Sequence, residues 1–238
     1  MKNVLVTGAS RGIGKAIAEA FAGEGFQVYM TCKSNGSLLE EYAAKLTADY
    51  HTPCHAYTVD MGNSDAVRQL FEALPPLDCV VNNAGISVVA LLTDTTDSQW
   101  DEILTTNLSS VFYTSRAAIP GMLKKGEGCI INISSVWGTV GASMEVAYSA
   151  TKGGVNSFTK ALAKELAPSR IRVNAIACGV IDTEMNAHLS TEDRQALTDE
   201  IPADRFGTPE EVASLVIQLV NAPQYLTGQI LTIDGGWY

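Results

Sequence analysis

The 238-residue chain has no apolar run near the roughly 20 residues that a membrane-spanning helix needs. Its first residues enter an apolar strand without a signal-peptide layout, so the expectation is a cytoplasmic protein with no membrane contact. Cationic excess is missing as well. Sixteen Lys and Arg against 26 Asp and Glu give a formal charge of -10, which argues against a nucleic-acid backbone as the main partner. A local basic pocket for one nucleotide stays possible. The five cysteines (Cys32, Cys54, Cys79, Cys129, Cys178) are odd in number, far apart and without a Cys-x-x-Cys pair, as expected of reduced thiols. Histidine is limited to His51, His55 and His188, and Pro53 separates the first two, so no metal site is expected. Linkers, repeats and low-complexity stretches are lacking. What remains is 46% hydrophobic and 18% charged, the balance of a globular domain, read as one unit over 1–238.

Apolar runs alternate with helical patterns along the whole chain, which predicts a doubly wound, Rossmann-type α/β fold of about seven parallel strands. Val4-Leu5-Val6 leads into Thr7-Gly8-Ala9-Ser10-Arg11-Gly12-Ile13-Gly14 and then a helix. A glycine turn between strand and helix lets backbone approach a diphosphate, and the helix N-terminus adds amide donors. The next strand, 27–31, ends without the acidic residue that binds a free ribose 2′-hydroxyl. Lys33 and Arg11, with Ser34, are positioned instead to flank a 2′-phosphate, which favours NADP(H); the alternative is two solvated surface cations. A helix is predicted over 37–48. Asp60, at the end of a third strand, either accepts from an adenine amino group or caps the helix that begins near Ser64, itself a competent cap.

The run Cys79-Val80-Val81 reads as a strand buried on both faces, with Asn82-Asn83-Ala84-Gly85 at its carboxyl end, where open α/β sheets bind ligands. A long helix is predicted over 97–118 with Asn107 inside it, where its amide is either exposed, bends the helix or holds a water. A strand at 129–133 ends at Ser134-Ser135, and another at 171–177 ends at Cys178-Gly179. The charged stretch 182–209, with scattered Met185, Leu189, Leu197 and Ile201, predicts a short amphipathic helical lid. A helix over 209–220 and a strand over 229–233 follow.

Tyr148 and Lys152 stand four residues apart, one helical turn, on one face. A phenol titrates near 10, and a neighbouring cation lowers that value, so the pair makes a tunable proton donor and acceptor.

The ordered set Thr7-Gly8-x-x-x-Gly12-x-Gly14, Asp60, Asn82-Asn83-Ala84-Gly85, Asn107, Ser135, Tyr148-x-x-x-Lys152 and Gly179-x-x-x-Thr183 resembles the short-chain dehydrogenase/reductase family along essentially the whole chain. The closing Leu226-Thr227-Gly228-Gln229 and Asp234-Gly235-Gly236 resemble the branch containing 3-oxoacyl-acyl-carrier-protein reductases, commonly tetramers. The resemblance implies Tyr148 as the proton donor in reduction and Ser135 as a hydrogen-bond donor to the substrate oxygen. It implies Lys152 as a holder of the nicotinamide ribose that lowers the tyrosine pKa, and Asn107 as anchor of a proton-relaying water. Asn82, Ala84 and Gly85 would line the adenosine side and Thr183 would touch the carboxamide. Ser10, Ile13, Met61, Gly179 and Ile181 complete the implied cofactor set. The family usually has proline before Gly179; Cys178 there predicts a somewhat looser loop, with a small effect on cofactor affinity.

Two substrates compete, and the sequence reading prefers the first. One is a 3-oxoacyl thioester on an acyl-carrier protein, an acidic partner that needs a basic patch, with Lys124, Lys125 and Arg170 as candidates weakened by Glu127. The other follows from Trp137-Gly138, Gly141-Ala142-Ser143 and Glu145, which resemble a subgroup that reduces an aminopentanone modification on elongation factor P. There Glu145 would meet the ammonium and Trp137 would add a cation–π face, against a reading of Glu145 as a helix-end acid and Trp137 as packing. Ser87, Met144 and Met185 join these two as substrate candidates. A sugar or polyol dehydrogenase and a non-catalytic NADP-binding sensor are further alternatives.

Overall fold

The computed structural model describes residues 1–187 and 189–238, so His188, inside the expected lid, lies outside the described residues. In chain order the first half comprises β1 (Asn3–Val6), α1 (Gly12–Gly23), β2 (Gln27–Cys32), α2 (Gly36–Tyr50), β3 (Cys54–Thr58), α3 (Ser64–Ala73) and β4 (Cys79–Asn82). Next come α4 (Asp97–Leu104), α5 (Ser110–Lys125), β5 (Gly128–Ser135), the short α6 (Trp137–Val140) and α7 (Val146–Leu166). The chain continues through β6 (Ile171–Cys178), α8 (Thr191–Glu200), α9 (Pro209–Val220) and β7 (Ile230–Ile233). Among the described residues the strands form one seven-stranded sheet, ordered β3-β2-β1-β4-β5-β6-β7 and parallel at every pairing.

Both faces of this sheet are covered, which is why its central strands carry near-continuous apolar residues. Successive strand side chains point to opposite faces. Val4 and Val6 of β1 therefore join Ile17, Phe21, Leu39, Val81, Ile131 and Val216 on the α1/α2/α9 side. Leu5 joins Leu70, Val80, Met122, Ile130, Leu166 and Val173 on the side of α3, α5 and α7. Each such fully buried side chain contributes roughly 1.5–3 kcal/mol. Among the described residues no helix is long and apolar enough to cross a membrane.

The strand order reverses direction between β1 and β4, and that switch point opens a crevice at the carboxyl ends of the strands. A buried polar chain fixes α7 against this crevice. Asn82 Nδ2 donates to Asn132 Oδ1 at 2.8 Å, Asn132 Nδ2 donates to Thr159 Oγ1 at 2.8 Å, and Ser134 Oγ donates to Asn156 Oδ1 at 2.7 Å. Satisfied networks of this kind specify one register of helix on sheet.

Two local expectations are corrected. The helix expected over 97–118 is broken by a five-residue π-helical turn, Thr105–Ser109, and α5 then runs on to Lys125. The break places Asn107 at 1% exposure, with its amide bonded to the main chain of Ile86. Helix α3 is capped by Asn63, whose Oδ1 accepts from Asp65 N and Ala66 N at 3.0 Å. Neither Asp60 nor Ser64 holds that place, because the chain turns one residue earlier than the sequence pattern implies.

Candidate active site and dinucleotide crevice

The crevice is a cavity of about 350 Å³, in the range of ligand pockets. One end is walled by Arg11, Lys33, Ser34 and Asp60, the middle by Gly8, Gly12, Ala84 and Gly85, and the other end by Tyr148, Lys152, Thr183 and Met185. Ser10, Ile13 and Met61 also face it.

The middle is built from the glycine turn. Gly8 has φ +66°, and a Cβ there would lie 2.9 Å from Ala84 Cα, so only glycine lets β1 and β4 end side by side. Gly14 lies off the cavity wall and acts through packing, since a Cβ on it would sit 2.3 Å from Gly8 O. Helix α1 starts after Arg11 in extended conformation, without a side-chain cap or an acidic residue in its first turn. Its leading amides and positive dipole end are thus directed to an anion, which fits the diphosphate of a dinucleotide. Asn83, which the sequence reading left without a role, ties the turn to β4: its Nδ2 donates to Thr7 O at 2.9 Å and Gly8 O at 3.0 Å. Asn82, expected on the adenosine side, instead points into the buried chain with Asn132; strand alternation sends the two asparagines to opposite faces.

At the cationic end, Lys33 Nζ lies 3.2 Å from Asp60 Oδ2 and 3.5 Å from Glu102 Oε1. Asp60 Oδ1 accepts from Gly62 N at 2.9 Å. Asp60 is therefore a partner of Lys33 before it is a partner of any base. Both carboxylates raise the lysine pKa, Asp60 more strongly through its hydrogen bond. Glu102 also lines the cavity, and nothing in the sequence pattern of α4 distinguishes it from a solvated helix acid.

At the catalytic end, β5 delivers Ser135 and α7 delivers Tyr148 and Lys152. Ser135 Oγ accepts from Trp137 N at 3.2 Å and stands near enough to the Tyr148 hydroxyl to favour its ionised form. Lys152 is 4% exposed and donates from Nζ to Ile133 O at 2.9 Å. Its ammonium stands 5.5 Å from the centre of the Tyr148 ring. Burial pushes Lys152 down to about 8. Burial raises Tyr148 above the ordinary phenol value, the nearby Cys178 and Glu145 raise it further, and the Ser135 bond lowers it. Lys152 is not among the groups that shift it, so the expected lowering of the phenol by the lysine is not seen, and Tyr148 is neutral near neutral pH.

Asn107 bridges the two halves. Its Oδ1 accepts from Ile86 N and its Nδ2 donates to Ile86 O, both at 2.8 Å, while Nδ2 also reaches Thr151 Oγ1 at 3.3 Å. A Cβ on Gly85 would lie 3.4 Å from Asn107 Oδ1 and 3.6 Å from Lys152 Nζ, so the π turn, the β4 end and the lysine meet at one point.

Gly179 and Ile181 stand behind the wall. A Cβ on Gly179 would meet Asp234 Cβ at 2.7 Å, and Ile181 is buried and pairs with Gly207. Cys178 ends β6 within the sheet: it pairs with Ser135 and Ile233 on either side, and its carbonyl accepts from Val136 N at 3.0 Å. Burial pushes its thiol up to about 12, the behaviour of an inert core cysteine. Beyond the wall, Glu145 is the N-cap residue of α7 and its carboxylate accepts from the Ser87 hydroxyl. Met144 before it holds φ +63°. Trp137 packs edge-on against Trp237 at 5.0 Å and Tyr238 at 5.4 Å. The expected lid consists of a 3₁₀ turn, Glu184–Asn186, and α8, which buries no side chain of its own and is tied down by Arg194 to Asp182 at 2.9 Å. Its amphipathic character is therefore weaker than the sequence suggested, and Ile201 just after it supplies the buried anchor.

A crevice at the switch point of a parallel sheet, an anion-directed glycine turn and a Ser-Tyr-Lys group define a dinucleotide-dependent oxidoreductase for alcohols and carbonyls. The short chain dehydrogenase family matches residues 2–194, and the chain belongs to that family. The uncharacterized oxidoreductase YmfI of Bacillus subtilis is 38% identical over 239 residues, covering 100% of this chain and 99% of the relative. The 3-oxoacyl-[acyl-carrier-protein] reductase FabG of Aquifex aeolicus is 40% identical over 239 residues, covering 98% and 96%. The crystal structure of a 3-oxoacyl-[acyl-carrier protein] reductase from Brucella melitensis matches with TM-score 0.94 at 36% identity, covering 100% of this chain and 91% of that one. An Agrobacterium tumefaciens structure with bound NADP, provisionally assigned as a 2-deoxy-D-gluconate 3-dehydrogenase, matches with TM-score 0.90 at 33% identity, covering 99% and 96%.

Proposed function

We propose that this carbonyl reductase uses NADPH and acts on a ketone that carries an ammonium group, the aminopentanone modification of elongation factor P being the substrate of that class. The observation that carries the substrate reading is Glu145, a carboxylate close enough to Tyr148 to raise its pKa and oriented by Ser87. The nicotinamide supplies the hydride that reduces the carbonyl carbon. Ser135 donates a hydrogen bond to the carbonyl oxygen, and Tyr148 gives that oxygen a proton as negative charge develops there, so C=O becomes CH–OH. Lys152 holds the ribose and restores the tyrosine proton. The absence of an acid at the end of β2, with Arg11 and Lys33 on the wall, supports NADPH.

The second reading, reduction of a 3-oxoacyl thioester on an acyl-carrier protein, is favoured by the named activity of relatives at 40% identity. It has less support from this surface: Lys125 is ion-paired with Asp78, and Glu127 lies beside it. The test is the initial rate of NADPH oxidation with a small ammonium-bearing ketone and with an acetoacetyl thioester. Preference for the cationic ketone, lost in Glu145→Gln, supports the first reading; preference for the thioester, kept in the variant, replaces it with the second. A parent that binds NADPH but turns over neither substrate above the rate seen in Tyr148→Phe would point to the non-catalytic sensor.

A further inference from the structure

Lys33 is the side chain best placed for a 2′-phosphate, yet it sits between two carboxylates, Asp60 at 3.2 Å and Glu102 at 3.5 Å. Asp60 has a second task, accepting from Gly62 N at the β3 end. Glu102 has reached across from α4, 69 positions along the chain from Lys33, and lines the same cavity. All three side chains are about half exposed, so their pairing adds little to stability. Lys33 is thus balanced by two acids before any ligand arrives, and Glu184, beside Gly12, adds a third carboxylate to the cavity lining. A phosphate monoester carries nearly two negative charges and three acceptor oxygens. It would therefore have to take Lys33 from Glu102 and then tolerate that carboxylate nearby.

We propose that Glu102 is a specificity-determining residue: an internal anion that competes with the 2′-phosphate for Lys33 and limits how tightly NADP(H) is held. The inference rests on the NADPH reading above. Its consequence for turnover is release, because the anion that resists the phosphate on entry returns to Lys33 as the spent cofactor leaves. Asp60 is not equivalent, since its removal also frees the Gly62 turn.

The test is calorimetric binding of adenosine 2′,5′-bisphosphate and of 5′-AMP to the full chain, so that hydride chemistry plays no part. Glu102→Gln, on an exposed helix face, should tighten the bisphosphate by about three- to tenfold at low salt and leave 5′-AMP within twofold. The gain should shrink as salt is added. Glu102→Lys should tighten it further. An unchanged bisphosphate affinity in both variants, or an equal gain for 5′-AMP, overturns the proposal. A parent protein that binds the bisphosphate no more tightly than 5′-AMP would overturn the NADPH reading itself, a distinct result visible before any variant is made.

Discussion

Replacing Lys152 with methionine should stabilise the ligand-free protein near neutral pH while abolishing turnover. The lysine is buried, and desolvation lowers its pKa from the usual 10.5 to about 8. At roughly 1.4 kcal/mol for each tenfold change in proton affinity, holding the ammonium in that position costs about 3 kcal/mol. Methionine removes this cost but leaves Ile133 O without its donor, a loss of about 1–2 kcal/mol. The net gain near pH 7 is then about 1–2 kcal/mol, or a rise in Tm of roughly 2–8 °C for a chain of this size. The sign depends on pH. Below about 8 the lysine is charged in both folded and unfolded chains, and the cost is complete. Between about 8 and 10.5 the unfolded chain binds a proton that the folded one does not, so parent stability rises with pH. Above 10.5 only the lost hydrogen bond remains, and the variant becomes the less stable of the two. Urea midpoints of parent and variant at pH 7 and pH 10.5, at one protein concentration, read this directly. A variant destabilised by the same amount at both pH values would refute the reasoning, because the lysine would then be solvated or paired in the fold.

Tyr148→Phe should reduce turnover by about 10²–10⁴-fold while NADPH binding, followed by fluorescence, stays within a few-fold. Gly14→Ala should fail to bind the dinucleotide and unfold at lower temperature, since its methyl would occupy space 2.3 Å from Gly8 O; normal binding in a calorimeter would contradict the packing described. Asn132→Ala removes the close partner of the Asn82 amide and one bond of Thr159, which keeps its bond to Val155 O; it should cost about 1–3 kcal/mol in urea denaturation and weaken turnover through the seating of α7. Cys178→Pro should leave hydrogen-exchange protection of 134–137 little changed if strand pairing, rather than a fixed φ, holds this segment.

Periodicity and strand ends carried most of the architecture. The apolar triplets of β1 and β4 and the glycine turn between β1 and α1 announce a parallel sheet with a ligand crevice, and Tyr148 with Lys152 declares itself through helical spacing. What stayed hidden depends on contacts distant in sequence. Asn82 and Asn83 are the same residue type, and only the pleat decides that one joins a buried chain while the other ties the turn. Asp60 and Asn63 are both competent caps, and only the path of the turn chooses between them. Glu102 gains meaning from a lysine 69 positions earlier. The packing of Trp137 against Trp237 and Tyr238, about 100 positions later, has no signal in the sequence either.

The π turn at Thr105–Ser109 has a consequence for how this site is inherited. In a π turn the amide of Ser110 reaches back to Thr105 O, one residue further than in an α-helix. Asn107 therefore owes its position to a surplus residue as much as to its own chemistry. Deleting any one of its neighbours in that turn would let α4 and α5 fuse into a regular, better-bonded helix and swing the asparagine by about 100°, away from Ile86. The shortened protein would lose the bonds of Asn107 to Ile86 and with them the bridge between the two ends. The place of Asn107 is thus written in the spacing of a helix, and a length change of one residue is enough to move it.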